Sequence, residues 1–351
     1  MSIRIPAVIL PLITIFFLSI SLFNKELDRF GKIKNLKFIL IFVFSFITFV
    51  ILTWPFLWDS PINNFLISFK NMSNFRWNGD ILFMGNILKA QQLPWYYIPV
   101  WISITTPIQY IILFLIGFMI ILKKIIIGKT SILFKSFNNI DFFILSLLIS
   151  PILSVIVFHS ALYSGWRHLY FIYPLIIYIA VFGLFSIKEY FESVKKAKYN
   201  ILITVSIIMF LIGTLFKMIE MHPFQMVYFN CLAGTKPENN FEVDYWGLSF
   251  RKGLEFVIND SKSNGNDTAK IFDNSNLTPI KKSLRILPKI QSNKIIFTNL
   301  NNANYLLSTY SEVNYQEDSL KKKFSLKSED EIYNITVDNI KIFSVFRLKK
   351  R

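Results

Sequence analysis

Six apolar blocks dominate this chain and decide most of what it can fold into. They are Ile5–Phe23, Phe38–Leu57, Val100–Leu122, Phe142–Phe158, Leu169–Ile187 and Ile201–Met218. Each runs for about 17–22 residues, the length a helix needs to cross a hydrocarbon core of ~30 Å. With 53% hydrophobic residues and only 17% charged ones, the chain is too apolar for an ordinary soluble domain. The first block is long for the apolar region of a signal peptide, and no small-residue cleavage site follows it. The expected architecture is therefore an α-helical polytopic membrane protein with about six transmembrane helices.

The formal net charge of +16 would suit a nucleic-acid partner in a soluble protein. Here it follows the connections between spans, so no nucleic-acid partner is expected. Lys25, Arg29, Lys32, Lys34 and Lys37 fall in the first connection. Lys123, Lys124, Lys129 and Lys135 fall in the connection at 123–141, and Lys188, Lys195, Lys196 and Lys198 in that at 188–200. The alternate connections hold fewer cations: Lys70, Arg76 and Lys89 over a long stretch, then Arg167. Short cytoplasmic loops carry the excess of Lys and Arg. On that rule the loop at 58–99, the loop at 159–168 and everything after Met218 face outward from a plasma (inner) membrane. Anionic lipid heads are the expected partners of part of the basic excess.

Composition changes after Met218. Residues 219–351 alternate short apolar runs with Asn, Lys, Ser and Asp. Gly247–Asn259 has helical spacing, and Lys270–Phe272, Lys294–Thr298, Tyr305–Ser308, Ile332–Val337 and Lys341–Leu348 read as strands. Asp338-Asn339 between the last two predicts a hairpin turn. The chain thus divides into a transmembrane bundle at 1–218 and an extracytoplasmic α/β domain at 219–351. The single Cys231 excludes an internal disulfide.

The outer loop at 58–99 is rich in Trp, Tyr and Phe. Phe65, Phe69 and Met72 fall at helical spacing, with Asn63, Asn64, Lys70 and Asn71 between them. This predicts a short amphipathic helix at the interface. Most of the loop aromatics suit a headgroup-level belt. Trp95, Tyr96 and Tyr97 are also candidates to line a groove for a lipid tail or sugar ring.

Several polar motifs fall on the same expected face. Asp59 and Asp80 lie in the long loop. Trp166-Arg167-His168 closes the loop at 159–168. His222-Pro223 and Tyr228-Phe229-Asn230 follow the last span, then Asp244-Tyr245-Trp246-Gly247-Leu248-Ser249. Asp244 also suits a cap for the helix after it. An arginine on the membrane face that disfavours cations needs a reason. A guanidinium binds two phosphate oxygens at once, and His168 adds a donor that titrates near neutral pH. Cations, carboxylates and aromatics above an apolar bundle suit a lipid-linked phosphate.

Four stretches, in order, resemble the later part of bacterial glycosyltransferase family 39 membrane proteins, of the GT-C superfamily. These are relatives of the dolichyl-phosphate-mannose protein mannosyltransferases. The stretches are Trp54–Pro107, Gly165–His168, His222–Asn230 and Asp244–Ser249, within about residues 50–260. The resemblance implies a GT-C-like bundle that moves a sugar from a polyprenyl-phosphate donor to a protein or glycan acceptor, without a cofactor. Arg167 and His168 would hold the leaving phosphate. Trp95, Tyr96, Tyr97, Trp166, His222, Tyr228, Asp244 and Trp246 would line the groove, and a carboxylate would serve as base.

The chain departs from the family pattern at one point. Members place the catalytic Asp in the first outer loop, whereas Glu26 and Asp28 fall on the expected cytoplasmic side. Asp59 and Asp80 are the weak candidates left for the base. The expectation is a fragment, a split enzyme, or a non-catalytic relative that binds lipid phosphate or partners a complete enzyme. A transporter is disfavoured because the spans hold almost no ionisable residues at mid-membrane. With three His and no HExxH or CxxC spacing, no metal site is expected.

Overall fold

The computed structural model describes residues 8–22, 29–73, 79–127, 140–194, 198–273, 278–310 and 317–348. Lys25, Glu26, Asp28, Arg76, Lys129, Lys135, Lys195 and Lys196 lie outside the described residues. Helix α1 spans Ile9–Leu22 and α2 Arg29–Thr53. Helix α3 spans Pro61–Ser73, and the hairpin strands β1 and β2 span Asp80–Phe83 and Asn86–Lys89. Helix α4 covers Tyr97–Thr105, α5 Ile108–Ile127, α6 Ile140–Val157, α7 Tyr173–Ser193 and α8 Lys198–Glu220.

Five described helices are long and apolar enough to cross a membrane, rather than six: Phe30–Thr53, Ile108–Ile127, Ile140–Val157, Arg167–Ser193 and Lys198–Glu220. Helix α1 has 14 residues, about 21 Å at ~1.5 Å per residue, which is short of a ~30 Å core. Helix α2 begins earlier than expected, so Lys32, Lys34 and Lys37 stand on its first turns rather than in a loop. A helix forms around Phe65 as expected, α3, with Ile62, Leu66 and Phe69 exposed.

The expected span at 100–122 is broken. Thr106 is extended (φ −101°, ψ 138°) and separates α4 from α5, as the residue before Pro107 is driven out of the helical region. Pro107 has no N–H to offer the Ser103 carbonyl. The Asn230 side chain supplies it instead, donating to the carbonyls of Ser103 and Thr106, both at 2.6 Å. The Asn230 backbone N–H takes the Ile104 carbonyl at 2.8 Å. A break buried in apolar surroundings persists only when such groups are satisfied.

Below the break, α5 and α7 touch at two glycines. A Cβ on Gly117 would fall on the Ile179 carbonyl oxygen, and one on Gly183 on the Leu113 carbonyl oxygen. Small residues at such crossings let backbones pack closely, which matters where hydrophobic drive between helices is absent. Gln109 Nε2 also donates to Thr214 Oγ1 at 2.8 Å, joining α5 to α8. By contrast, α8 buries none of its side chains in the structure.

The C-terminal region forms a small sheet domain. Its described strands are β3 (Ala269–Asp273), β4 (Ile295–Phe297), β5 (Tyr305–Thr309), β6 (Glu331–Val337) and β7 (Ile340–Arg347), in the order β4-β3-β5-β7-β6. Strands β3, β4 and β5 run parallel, and β7 is antiparallel to both β5 and β6. The five strands read from sequence all form. The turn between β6 and β7 uses Asp338 and Asn339 at φ 52° and 62°, the left-handed values a two-residue hairpin requires. Helix α9 (Ser249–Ser263) covers the sheet through Phe250, Leu254 and Val257, all buried. Phe250 meets Phe343 at 5.5 Å between centroids. Lys217 near the end of α8 pairs with Asp338 at the hairpin turn, so this turn touches the end of the bundle where α8 finishes.

Candidate functional site

The loop from α6 to α7 is turned by three consecutive constraints. Ser164 and Gly165 adopt left-handed backbone values, φ 56° and 70°. The Ser164 N–H donates to Glu242 Oε2 at 3.0 Å. Trp166 is buried and donates from Nε1 to Thr105 Oγ1 at 2.9 Å. The indole is thus an anchor into the end of α4 rather than a free groove wall. A 3-10 turn, Arg167–Ile172, starts at the next residue and leads into α7.

Arg167 is half-buried at the start of that turn. Its guanidinium carbon lies 4.5 Å from the Tyr163 ring centre, 4.8 Å from that of Trp246 and 5.4 Å from that of Tyr245. Three rings from two separate segments therefore surround one cation. Aromatic faces attract a cation through their quadrupole but do not replace a carboxylate on its in-plane N–H donors. Among the described residues Arg167 makes no ion pair, and its Nε is buried without a hydrogen-bond partner. His168 packs edge-on against the Tyr163 ring, with 4.7 Å between ring centres.

The 244–249 motif explains how two of those rings are held. Asp244 sits at φ 44° and Gly247 at φ 64°. The Asp244 carboxylate accepts from the backbone N–H groups of Leu248 (3.0 Å) and Ser249 (3.1 Å), and from the Ser249 hydroxyl. These bonds cap α9 and fix the turn that presents Tyr245 and Trp246 to Arg167. Burial pushes the Asp244 carboxyl up to about 6, against the downward pull of those hydrogen bonds.

Beneath the loop lies an aromatic cluster from four segments. Phe83 is 4.8 Å from Tyr97 and 5.9 Å from Phe241, and Trp101 is 5.4 Å from Phe241 and 6.1 Å from Phe229. Next to it, Glu242 is 7% exposed. The Tyr97 phenol lies within electrostatic reach of both Glu242 and Arg167.

Comparison of the chain with protein-family models, with curated proteins and with solved structures finds no match.

The residues read from sequence divide into three groups. Arg167, His168, Trp166, Asp244 and Trp246 come together, with Tyr97 adjoining. Trp95 and Tyr97 line a cleft beside this group, and Tyr96 packs against Phe83 at 5.9 Å. The others do other things. His222 is exposed and its Nδ1 meets Gln225 Nε2 at 3.0 Å. Tyr228 stands within electrostatic reach of Lys217 and Asp338. Asp59 is exposed, and Asp80 pairs across the β1–β2 hairpin with Lys89 at 2.5 Å.

Sequence reading missed Tyr163, Tyr245 and Glu242. The Phe241-Glu242-Val243 run held a signal, since a carboxylate between two buried apolar residues is itself unusual. All three of these side chains are buried here.

Proposed function

We propose that this end of the bundle binds a lipid-linked phosphate, and that the chain works as a GT-C-type glycosyltransferase using a polyprenyl-phosphate sugar. The observation that carries the reading is Arg167: a cation ringed by aromatics, with a buried Nε–H that no group among the described residues accepts. A phosphate accepts from a guanidinium in a bidentate pair. In sugar transfer, the same pair stabilises the charge that grows on the leaving phosphate. The lysine-rich helix ends on the opposite side support an outward-facing site and an extracytoplasmic sheet domain on a plasma membrane.

The base in this reading is Glu242. Asp244 is committed to the cap of α9 and Asp80 to Lys89, whereas Glu242 adjoins the Arg167 loop through Ser164. The acceptor hydroxyl loses its proton to the carboxylate as its oxygen bonds to the anomeric carbon. The polyprenyl phosphate departs with the electrons of the broken bond. The acceptor in this reading is a protein or glycan hydroxyl.

A non-catalytic lipid-phosphate binder is the second reading. It is favoured by the exposed setting of Asp59 and by Glu242 already accepting from Ser164. Binding of undecaprenyl phosphate to the full chain in nanodiscs tests what both readings share. Arg167→Ala weakens it about 10- to 100-fold, the scale of a charge-assisted pair, and Arg167→Lys recovers only part. Unchanged binding in both variants removes the phosphate role. Transfer activity retained by Glu242→Gln removes Glu242 as base, because glutamine still accepts from Ser164 but takes no proton.

A further inference from the structure

The sheet domain carries a surface of one charge sign that the Arg167 loop does not use. Between Asp273 and Glu312 the sequence holds no Asp or Glu, yet it places Lys281, Lys282, Arg285 and Lys289 close together. Two helices form the stretch, α10 (Thr278–Ile286) and the short α11 (Lys289–Ser292). Pro279 stands in the first turn of α10, where its missing N–H is not needed. Pro288 ends the helix, because the residue before a proline is driven out of helical values. Ile280, Ser283 and Leu287 are buried and Leu284 is half-buried, the spacing of one helix stripe turned inward. Lys281, Lys282, Arg285 and Lys289 are exposed on the remaining surface. In the same stretch Ile286 and Ile290 are 65% and 78% exposed.

Other cations of this domain have carboxylates. Arg251 pairs with Glu255, Lys341 with Glu331 and Arg347 with Asp260. Lys281, Lys282, Arg285 and Lys289 make no ion pair among the described residues. Lys281 and Arg285 stand four apart on one helix, and like charges at that spacing disfavour it. An anion lying across them relieves that repulsion. The surface also begins near the bundle. A Cβ on Gly247 would fall 2.7 Å from Pro279 Cβ, and Gly247 follows Trp246, which faces Arg167. On the neighbouring α9, Lys252 lies 5.0 Å from the ring centre of Phe224, just past the end of α8.

An anionic glycan would take up the charges and leave both isoleucines in water. A bilayer surface with anionic heads takes up both: the heads meet the cations, and the isoleucines reach the boundary of the acyl chains. It also lies beside the domain already, because the spans of the same chain hold it there. We propose that α10 and α11 form a docking surface for anionic lipid headgroups, through which the sheet domain rests on the bilayer around the bundle. This surface acts whether or not Arg167 binds a phosphate.

Fluorescence quenching on the full chain in nanodiscs tests it. Cys231→Ser removes the single cysteine, and Ile290→Cys then carries an environment-sensitive fluorophore. The discs hold phosphatidylcholine alone or with phosphatidylglycerol, plus a lipid spin-labelled near its headgroup as quencher. Quenching at 290 is strong in the anionic discs, weak in the neutral ones, and falls as salt is raised. A label at Asn264→Cys, at the other end of α9, is quenched in neither. Each Lys or Arg near an anionic surface raises the docking constant about fivefold. Lys281→Gln, Lys282→Gln, Arg285→Gln and Lys289→Gln together therefore lower it about 100-fold or more, while undecaprenyl phosphate still binds. Lys281→Arg, Lys282→Arg and Lys289→Arg together keep the quenching. The proposal is overturned if anionic discs quench position 290 no more than neutral ones, or if the glutamine variant is quenched like its parent. A label that lipid leaves unquenched but soluble polyglutamate shifts would overturn it too, and would assign the surface to an acidic partner.

Discussion

Two arginines in this molecule are treated in opposite ways. In the sheet domain, Arg347 Nη2 lies 2.8 Å from both oxygens of Asp260, and the Tyr305 hydroxyl donates to the same carboxylate at 2.7 Å. Nearby, Lys341 pairs with Glu331 at 2.7 Å. There the cations have carboxylates, and the pairs join one element to another within the fold. At the bundle end, Arg167 makes no ion pair among the described residues and lies against the rings of Tyr163, Tyr245 and Trp246. The domain shows how this chain pairs a cation for structure. No such pair forms at Arg167 among the described residues, and that difference is what the phosphate reading proposed above rests on.

The largest effect tests whether the bundle is the rigid base beneath that loop. Gly183→Leu sets side-chain atoms against the Leu113 carbonyl oxygen, which cannot move aside. The α5–α7 contact opens, and the yield of folded protein in detergent falls sharply, together with lipid-phosphate binding. A Cβ on Gly213 of α8 meets nothing within 4 Å, and Gly213→Leu leaves both unchanged. Equal behaviour of the two variants would mean the glycine crossing does not hold the bundle.

Glu242→Gln comes next. Turnover with a polyprenyl-phosphate sugar falls about 10²-fold or more, the usual contribution of a general base, while undecaprenyl phosphate binds as in the wild type. Asn230→Ala follows, because it leaves the Ser103 and Thr106 carbonyls buried without their donors. A loss of about 1–3 kcal/mol for each group left unsatisfied appears as a lower unfolding temperature.

Arg347→Ala gives the smaller structural loss expected on the paired side of the comparison. Its pair with Asp260 is partly exposed, so the cost stays near ~1 kcal/mol, and ligand binding is unaffected. A binding defect in this variant would erase the distinction between the two arginines.

The smallest effect is a pH dependence. Folding raises the Asp244 carboxyl from 3.8 to about 6, so between these values the folded chain holds a proton that the unfolded chain has released. Its contribution to stability is full below about 4 and declines as the pH rises through 6. Asp244→Asn flattens that part of the pH–stability curve, measured by thermal unfolding in detergent. An unchanged slope would assign the decline to other groups.

Much of the fold is legible in the sequence, and the limits have physical causes. The long spans announce themselves by length and apolarity, and the strands by the turn residues between them, Asp338-Asn339 most clearly. The break after Thr105 is not legible from the local run. Pro107 marks it, but the group that makes it tolerable is Asn230, 124 residues from Thr106. The hairpin at 80–89 was hidden in an aromatic loop. Its turn depends on Met84 and Gly85 at φ 51° and 76°, and its strands gain support from Phe241 through a single bridge.

The candidate site was half legible. Arg167 stands out by its place between two spans, and Asp244 by its offset from the helix it caps. Trp166 reads as a groove residue until its bond to Thr105 is seen. Tyr163, Tyr245 and Glu242 matter only because distant segments meet, which no spacing rule within one segment reveals.

The most direct test of the central claim compares one lipid with and without its phosphate. Affinities of undecaprenyl phosphate and of undecaprenol are measured in nanodiscs for the wild type and for Arg167→Ala. The account predicts a preference for the phosphate of about 10- to 100-fold in the wild type, which disappears in the variant while the undecaprenol affinity stays the same. A preference that survives the loss of Arg167, or one absent from the wild type, would contradict it.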